Sequence, residues 1–201
     1  MTINQRRERQ KLETRNGILD AARRVARDEG WGAVTIRRIA AMVEYTPPIV
    51  YEYFANKDAV LEELQRQGFE MLTEDMRIAA ASDENIETRL LNMVDAYWAF
   101  AHNYPELYQL MHGGVSAQIP LEKTLAGATE ASNIAEATLA EWAAVKGVDN
   151  LDIDEVVSII WGLQHGLVSV SLLDRLRGGE DRAREMARKA VKDLLWAWSA
   201  R

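Results

Sequence analysis

Residues 46–57 carry the side chains with the most distinctive chemistry, and they read TPPIVYEYFANK. Two adjacent prolines precede two tyrosines and a phenylalanine. Proline is tolerated in the first turn of a helix, because its missing N–H has no helical partner there. We therefore predict that Thr46 caps a short helix, which begins at Pro47.

This short helix is expected to have two different faces. Val50 and Phe54 are four residues apart, so both can pack inward on the same side. The outer side carries the apolar side chains of Pro47, Pro48 and Ile49, the phenol of Tyr51 and the carboxylate of Glu52. Two interpretations stay open for Tyr51 and Tyr53, since both could instead belong to a small aromatic core.

Side-chain patterns that would indicate catalysis or metal binding are missing from the sequence. His102, His112 and His165 show no metal-ligand spacing, and there is no HExxH motif. The nucleophile elbow and the glycine-rich phosphate loops are also absent. Four acids in residues 149–155 lack the glycine and the final glutamate of a calcium loop, so we interpret Asp152 as a helix N-cap. We expect no catalytic residue, no metal and no cofactor, and hence no enzyme.

Size and composition bound the class of protein. The chain has 201 residues, of which 48% are hydrophobic, so it can bury a substantial core. The sequence contains no run of 18 apolar residues, so no membrane span is predicted. The charged N-terminal stretch lacks the apolar core of a signal peptide. Because there is no cysteine, disulfides and thiolate metal sites are excluded. We expect a cytoplasmic protein with no membrane partner.

The charge is distributed unevenly along the chain. The formal net charge of −7 by itself argues against a nucleic-acid partner. Residues 1–66, however, carry 12 basic and 10 acidic side chains, whereas residues 67–201 carry 12 basic and 21 acidic ones. This asymmetry predicts a basic-leaning module joined to an acidic one.

Four helices are predicted in the first module. Residues 14–29 place apolar side chains at helical spacing, and Gly30 is a natural stop. Thr35 is expected to cap a second helix of about two turns, and Asn56 can cap a fourth. The second and third helices, about three residues apart, form a helix-turn-helix. Its purpose would be to present the outer face of residues 46–52 to a DNA major groove.

Residues 18–61 read ILDAARRVARDEGWGAVTIRRIAAMVEYTPPIVYEYFANKDAVL. This run resembles the N-terminal domain of the TetR family of bacterial transcriptional repressors, and the resemblance covers about residues 12–70. The positions that fall in register are Ile18, Leu19, Ala21, Ala22, Glu29, Gly30, Thr35, Ile39, Ala40, Val50, Tyr51, Phe54, Asn56 and Lys57.

The resemblance implies a set of DNA contacts. At the start of the second helix, Thr35 and Arg37 match positions that touch phosphate or a guanine edge. The base-reading start of the recognition helix is matched by Thr46, Pro47, Pro48 and Ile49. Tyr51 and Tyr53 match positions that contact phosphate or bases, and Lys57 matches a phosphate-binding lysine, helped by the dipole of its helix.

Two acids depart from the family pattern. Glu44 stands in the turn where a glycine is usual. Glu52 would lie near phosphates, which is unfavourable unless it accepts a hydrogen bond from cytosine N4. The arginines of residues 1–11 could form either a solvated tail or an arm near DNA.

Helical patterns continue through the second module. They cover residues 86–103, 105–111, 121–146, 154–176 and 181–199. No strand-type alternation appears, so we predict an all-α protein with an N-terminal helix-turn-helix domain and a C-terminal helical ligand-binding and dimerisation domain. The expected divisions are a basic arm (1–11), the DNA-binding domain (12–70) and the ligand-binding and dimerisation domain (71–201).

The last two helices carry apolar stripes that are too broad for one core contact, which suggests packing both inward and against a partner. The resemblance implies the same, because TetR-like proteins dimerise through their last two long helices. The residues expected in this interface are Val170, Leu173, Val191, Leu194 and Trp198. The segment WGLQHGLVSV also resembles a tryptophan–histidine–glycine motif of one C-terminal subgroup.

Large aromatic and methionine side chains cluster in the second module. Ordinary core packing accounts for each of them singly, whereas together they could line an apolar pocket with a few polar handles. The expected lining residues are Trp98, Tyr108, Met111, Trp142 and Trp161.

These patterns and the resemblance predict a repressor that binds a palindromic operator on double-stranded DNA as a homodimer. A small, largely apolar effector would release it from the DNA by shifting the population of conformers. The alternative is an all-α ligand-binding or enzymatic protein whose helix-turn-helix is vestigial.

Overall fold

The computed structural model describes residues 2–82, 84–113 and 119–200. Within these ranges the regular secondary structure is entirely helical, as the sequence predicts. The chain divides into two compact units. The first comprises Met1–Gly68 and Glu106–Thr124, and the second comprises Phe69–Pro105 and Leu125–Arg201.

The first unit contains the predicted helix-turn-helix. Its elements are α1 (Ile3–Glu29), a 3-10 turn (Trp31–Ala33), α2 (Ile36–Met42), α3 (Pro47–Tyr51), the first half of α4 (Lys57–Ala80) and most of α6 (Pro105–His112). Helices α1, α2 and α3 pack in sequence around fully buried side chains. This core consists of Ile18, Leu19, Val25, Val34, Ile39, Val50, Val60, Leu61 and Leu64.

Helix α1 begins at Ile3, although the apolar periodicity predicts a start at Thr14. A capping box holds this end: the Gln5 N–H donates to Thr2 Oγ1 at 3.3 Å, and the Thr2 N–H donates to Gln5 Oε1 at 2.8 Å. Residues 4–13 are exposed and polar except for Leu12, so this part of the helix leaves no apolar stripe in the sequence. Residues 3–11, which belong to the predicted basic arm, are helical.

The sequence places α6 in the second domain, whereas the structure groups it with the first unit. Three contacts hold it there. Trp31 Nε1 donates to the Glu106 carbonyl at 3.0 Å, and Gln65 Nε2 donates to the Leu110 carbonyl at 3.3 Å. The Glu106 side chain also pairs with Arg23 of α1. Such long-range contacts cannot be deduced from local periodicity.

The second unit is built from the C-terminal part of α4, α5 (Ile86–Asn103), most of α7 (Leu121–Lys146), α8 (Ile153–Leu172) and α9 (Gly179–Ser199). Helices α5, α8 and α9 pack against one another. Asp152 caps α8 as predicted, because its carboxylate accepts from the Glu155 N–H at 3.1 Å.

Helix α8 is apolar over most of its length. Its mean hydropathy of 1.3 would by length and composition allow it to cross a membrane, and 17% of that window is buried. One such helix is weak evidence for a membrane span. Two acids, Asp154 and Glu155, occupy its first turn.

Candidate nucleic-acid interface

Helix α3 is anchored by the two side chains that the sequence predicts. Val50 is fully buried and Phe54 is 4% exposed. The prolines occupy the first two helical positions, so the predicted helix start is correct. Thr46 is the N-cap residue by backbone geometry, but its hydroxyl makes no capping hydrogen bond.

Proline chemistry explains why the Thr46 side chain does not cap. An N-cap hydroxyl normally accepts from the N–H of the second or third helical residue. Pro48 has no N–H, and the Ile49 N–H donates instead to the Thr46 carbonyl at 3.0 Å. The Thr46 hydroxyl is therefore exposed and available to a ligand.

The turn between α2 and α3 adopts the conformation that glycine would favour. Glu44 has φ +58°, in the left-handed region. The Tyr45 N–H donates to the Ala40 carbonyl at 2.9 Å and the Glu44 N–H donates to the Ala41 carbonyl at 3.4 Å, which together form a Schellman motif. The motif keeps its geometry despite the missing glycine.

The start of α2 presents one arginine with a partner and one without. Thr35 caps the helix by accepting from the Arg38 N–H at 3.1 Å. Arg38 Nε donates to Glu29 at 3.1 Å, and this hydrogen bond raises the pKa of the Arg38 guanidinium. Arg37 is exposed and has no carboxylate partner among the described residues. Only Arg37 of this pair is thus free to meet an external anion.

The start of α4, like the start of α2, has a side-chain cap and a cation without a carboxylate partner among the described residues. Asn56 caps the helix by accepting from the Ala59 N–H at 2.8 Å, as the sequence predicts. Lys57 is consequently the first helical residue. It is partly exposed and has no carboxylate partner in the described part of the chain.

The remaining predicted contact residues differ in exposure. Tyr51 is 54% exposed, which excludes an aromatic-core role for it, whereas Tyr53 is half-buried. Pro48 is exposed, and Pro47 and Ile49 are half-buried. All nine residues predicted to contact DNA therefore keep part of their surface accessible.

One exposed aromatic was not foreseen. Tyr45 immediately precedes Thr46 in the turn and is 41% exposed. Its position next to a predicted turn was the available signal, because a tyrosine in a short turn has no obvious place in a core.

Arg15 of α1 contacts residues on both sides of the junction between α3 and α4. Its guanidinium carbon lies 4.9 Å from the centroid of the Phe54 ring, and its Nη1 atom lies 3.0 Å from Glu63 Oε1. The hydrogen bond from Arg66, ahead of that from Arg15, lowers the pKa of Glu63 to about 2, although burial acts in the opposite direction. An ionised Glu63 thus fixes two arginines beside the short helix.

Chemically, this surface suits a DNA duplex. Two unpaired cations and several hydroxyls can bind phosphate oxygens, and an arginine fork can donate hydrogen bonds to the O6 and N7 atoms of guanine. The proline and isoleucine carbons can contact only apolar groups, of which the major groove offers the thymine methyl.

The residues predicted to line an effector pocket fall into both units. Tyr108 and Met111 are buried in the first unit, and a Cβ atom added to Gly68 would lie 2.7 Å from Met111 Sδ. Trp98 and Trp142 are buried in the second unit. Trp161 belongs to the second unit as well, but it is 47% exposed.

Three buried polar atoms in the second unit have no hydrogen-bond partner among the described residues. They are the donors Trp98 Nε1 and Trp142 Nε1, and the acceptor Gln164 Oε1. The Trp98 ring stacks on His102 with 4.6 Å between centroids, and His102 Nε2 lies 3.1 Å from Ser171 Oγ. Buried polar atoms without partners are costly, so such atoms need an explanation such as a water or a ligand.

The residues predicted at the dimer interface also differ in exposure. Val170 is 37% exposed and Leu173 is 63% exposed, and Leu194 is half-buried. Val191 and Trp198 are buried within the second unit itself. The outward apolar surface of α8 and α9 includes residues outside the predicted set, namely Ile159, Trp161, Met186 and Trp196.

Family models match both parts of the chain. The model described as bacterial regulatory proteins, tetR family, matches residues 18–64. A second model, described as a tetracyclin repressor-like C-terminal domain, matches residues 90–194 and so includes the WGLQHGLVSV segment. A comparison with curated proteins finds no match.

Solved structures share the fold over most of the chain. A protein of unknown function from Rhodococcus sp. RHA1 superimposes with a TM-score of 0.78 at 20% identity, covering 91% of this chain and 93% of its own. The fatty acid degradation regulator FadR from Bacillus halodurans gives 0.76 at 18% identity, with 88% and 93% covered. The TetR family transcriptional regulator PfmR from Thermus thermophilus gives 0.68 at 18% identity, with 89% and 96% covered.

Proposed function

The chain belongs to the TetR family of bacterial regulatory proteins, and we propose that it is a repressor whose homodimer binds a palindromic operator and leaves it when a small molecule binds. As a member of this family it is a DNA-binding transcriptional regulator. The family consists of regulators rather than enzymes, so the catalytic alternative has no support.

The observation that carries the DNA-binding part is the surface around α3. Val50 and Phe54 anchor α3 in the core, while Arg37 and Lys57 flank it without carboxylate partners among the described residues. Thr35, Thr46, Pro47, Pro48, Ile49, Tyr51 and Tyr53 complete the surface. In this proposal, Lys57, Thr35 and the tyrosines bind phosphate, and Arg37 reads guanine.

The homodimer accounts for the exposed apolar side chains of α8 and α9. Trp196 is 72% exposed and Leu173 is 63% exposed, and in this proposal the second copy covers both side chains. A Cβ atom added to Gly162 or Gly166 would meet nothing within 4 Å, so this part of α8 leaves room for another helix. A second copy covering α8 also explains its apolar composition without a membrane, in keeping with a cytoplasmic protein.

The effector site is proposed in the second unit, around Trp98 and Trp142. The unpartnered Trp98 N–H and Gln164 carbonyl are suited to a ligand that is largely apolar and carries one group able both to accept and to donate a hydrogen bond. A compound that dissociates the protein from DNA is expected to change tryptophan emission. Release with unchanged emission would place the effector elsewhere.

Selection of duplexes from a random-sequence pool by the full chain tests the proposed function. We expect enrichment of an inverted repeat whose half-sites lie roughly 34–36 Å apart, about one helical turn. Enrichment of a single unrepeated site would contradict the dimeric mode, and no enrichment at all would contradict sequence-specific DNA binding.

A further inference from the structure

Helix α1 extends well beyond the core that it helps to form. Its first buried side chain among those described is Ile18, whereas residues 4–13 are exposed. We call residues 4–12 the basic extension, because they contain Arg6, Arg7, Arg9 and Lys11 against the single acid Glu8. This density of positive charge stands in a chain whose net charge is −7.

Interactions within the fold do not account for these cations. Arg6 and Arg7 have no carboxylate partner among the described residues, and Arg9 and Lys11 make only loose contacts along the helix, with N–O distances of 3.6 and 3.5 Å. The N-terminus of a helix is the positive end of its dipole, so cations placed there are destabilising. No acid occupies the first turn of α1 to compensate. The four cations therefore cost local stability, and the two exposed ion pairs of Arg9 and Lys11 offset little of that cost.

The contacts of Arg15 show where the basic extension leaves the packed core of the first unit. Arg15 lies over the Phe54 ring and bonds Glu63, so this turn of α1 packs against the junction of α3 and α4. Lys57 begins α4 at that junction. With a rise of 1.5 Å per residue, Arg7 lies about 12 Å along the axis from Arg15. The basic extension thus starts beside the DNA-facing elements and continues outward from them.

We propose that the basic extension is a second DNA-contacting surface, which binds backbone phosphates beside the half-site contacted by α3. The proposal rests on the proposed function, since it assumes that α3 binds duplex DNA. The positive charge is complementary to both DNA and an anionic membrane, but the lack of an apolar face selects DNA as the partner. A helix that lies on a membrane needs an apolar face, whereas Leu12 is the one large apolar side chain recorded as exposed in this segment.

The variant R6Q/R7Q tests the proposal, because both side chains are exposed and glutamine preserves helix propensity. The matched control is R175Q/R177Q, which removes the same charge from two exposed arginines of the second unit. The probe is a duplex selected by the wild-type full chain from a random-sequence pool. Fluorescence anisotropy measures its affinity between 50 and 300 mM salt, roughly the range over which counterion release is resolved.

Loss of two phosphate contacts per protomer is expected to reduce the slope of log K against log salt by about 2 per bound protomer, and to weaken binding at least tenfold or so at low salt. The control is expected to keep the wild-type slope.

An unchanged slope for R6Q/R7Q, or an equal change in the control, overturns the proposal while leaving the proposed function intact. Failure of the wild type to select any duplex overturns the proposed function itself. If R6Q/R7Q binds the duplex as tightly as the wild type but binds anionic vesicles more weakly, the extension contacts a membrane and the proposal is overturned.

Discussion

Glu106 on α6 and Arg23 on α1 form a buried ion pair in the first unit, with 2.9 Å between Glu106 Oε1 and Arg23 Nη2. Arg27 Nη2 lies 3.0 Å from the same oxygen. Burial acts to raise the pKa of Glu106, but hydrogen bonds from Arg27, from the backbone and from Arg23 outweigh it, so the pKa lies below its ordinary value. This cluster attaches α6 to the helix that carries the basic extension.

Replacing Glu106 with glutamine is expected to destabilise the first unit by about 3 kcal/mol, because the mostly buried Arg23 would lose its ion pair with this buried carboxylate. The control Glu13→Gln removes an acid that is 67% exposed and 3.6 Å from Arg9, so its effect is expected to stay within about 0.5 kcal/mol. Urea unfolding measures both. Equal stability of the two variants would show that the buried pair contributes nothing.

Lowering the pH is expected to protonate Glu63 and so to weaken its ion pairs at the junction of α3 and α4. Its folded pKa of about 2 lies below the unfolded value near 4.5. The resulting stabilisation is fully present above pH 4.5 and is lost as the pH falls towards 2. The difference in melting temperature between wild type and Glu63→Gln should therefore shrink over that window. A difference that stays constant from pH 7 to pH 2.5 or so would contradict the assignment.

Glu44→Gly is expected to stabilise the protein. Glu44 has φ +58°, a conformation that costs a residue with a side chain about 1–2 kcal/mol. Glycine avoids this cost but loses more entropy on folding, so we expect a net gain of about 1 kcal/mol. Glu52→Gly serves as the control, because Glu52 has an ordinary helical φ of −67° and should lose stability instead. Thermal unfolding distinguishes the two signs.

Charges placed on the outward face of α8 should separate the proposed dimer. Val170→Asp combined with Leu173→Asp is expected to give particles with the 22.7 kDa mass of one chain, whereas the wild type should sediment at twice that mass. Val145→Asp makes the same kind of change at a site on α7 that is 65% exposed and should leave the dimer intact. A monomeric wild type at micromolar concentration would contradict the proposed interface.

Local signals made the helix-turn-helix predictable from the sequence. Pro47 and Pro48 fit only the first turn of a helix, and Thr35 and Asn56 are cap residues whose side chains do accept from the backbone. Each of these effects acts over three or four residues. The family resemblance then predicts which surface residues face DNA.

Features that depend on distant contacts were not predictable in the same way. The N-terminal turns of α1 have no apolar stripe, and α6 joins the first unit through contacts such as that between Trp31 and Glu106. Periodicity also cannot tell which of two neighbouring tryptophans faces inward. Trp198 was expected at the dimer interface, yet it is 7% exposed in the isolated chain, whereas Trp196 is 72% exposed.

The variant Tyr51→Glu tests most directly whether the outer face of α3 binds DNA. The change places an acid on a side chain that is 54% exposed, so the fold should be preserved. Ile78→Glu, at a site on α4 that is 63% exposed, is the matched control. On a duplex selected by the wild type, anisotropy is expected to show about a 100-fold loss of affinity for Tyr51→Glu, because a phosphate contact becomes a repulsion. The control should bind like the wild type, and undiminished binding by Tyr51→Glu would contradict the account.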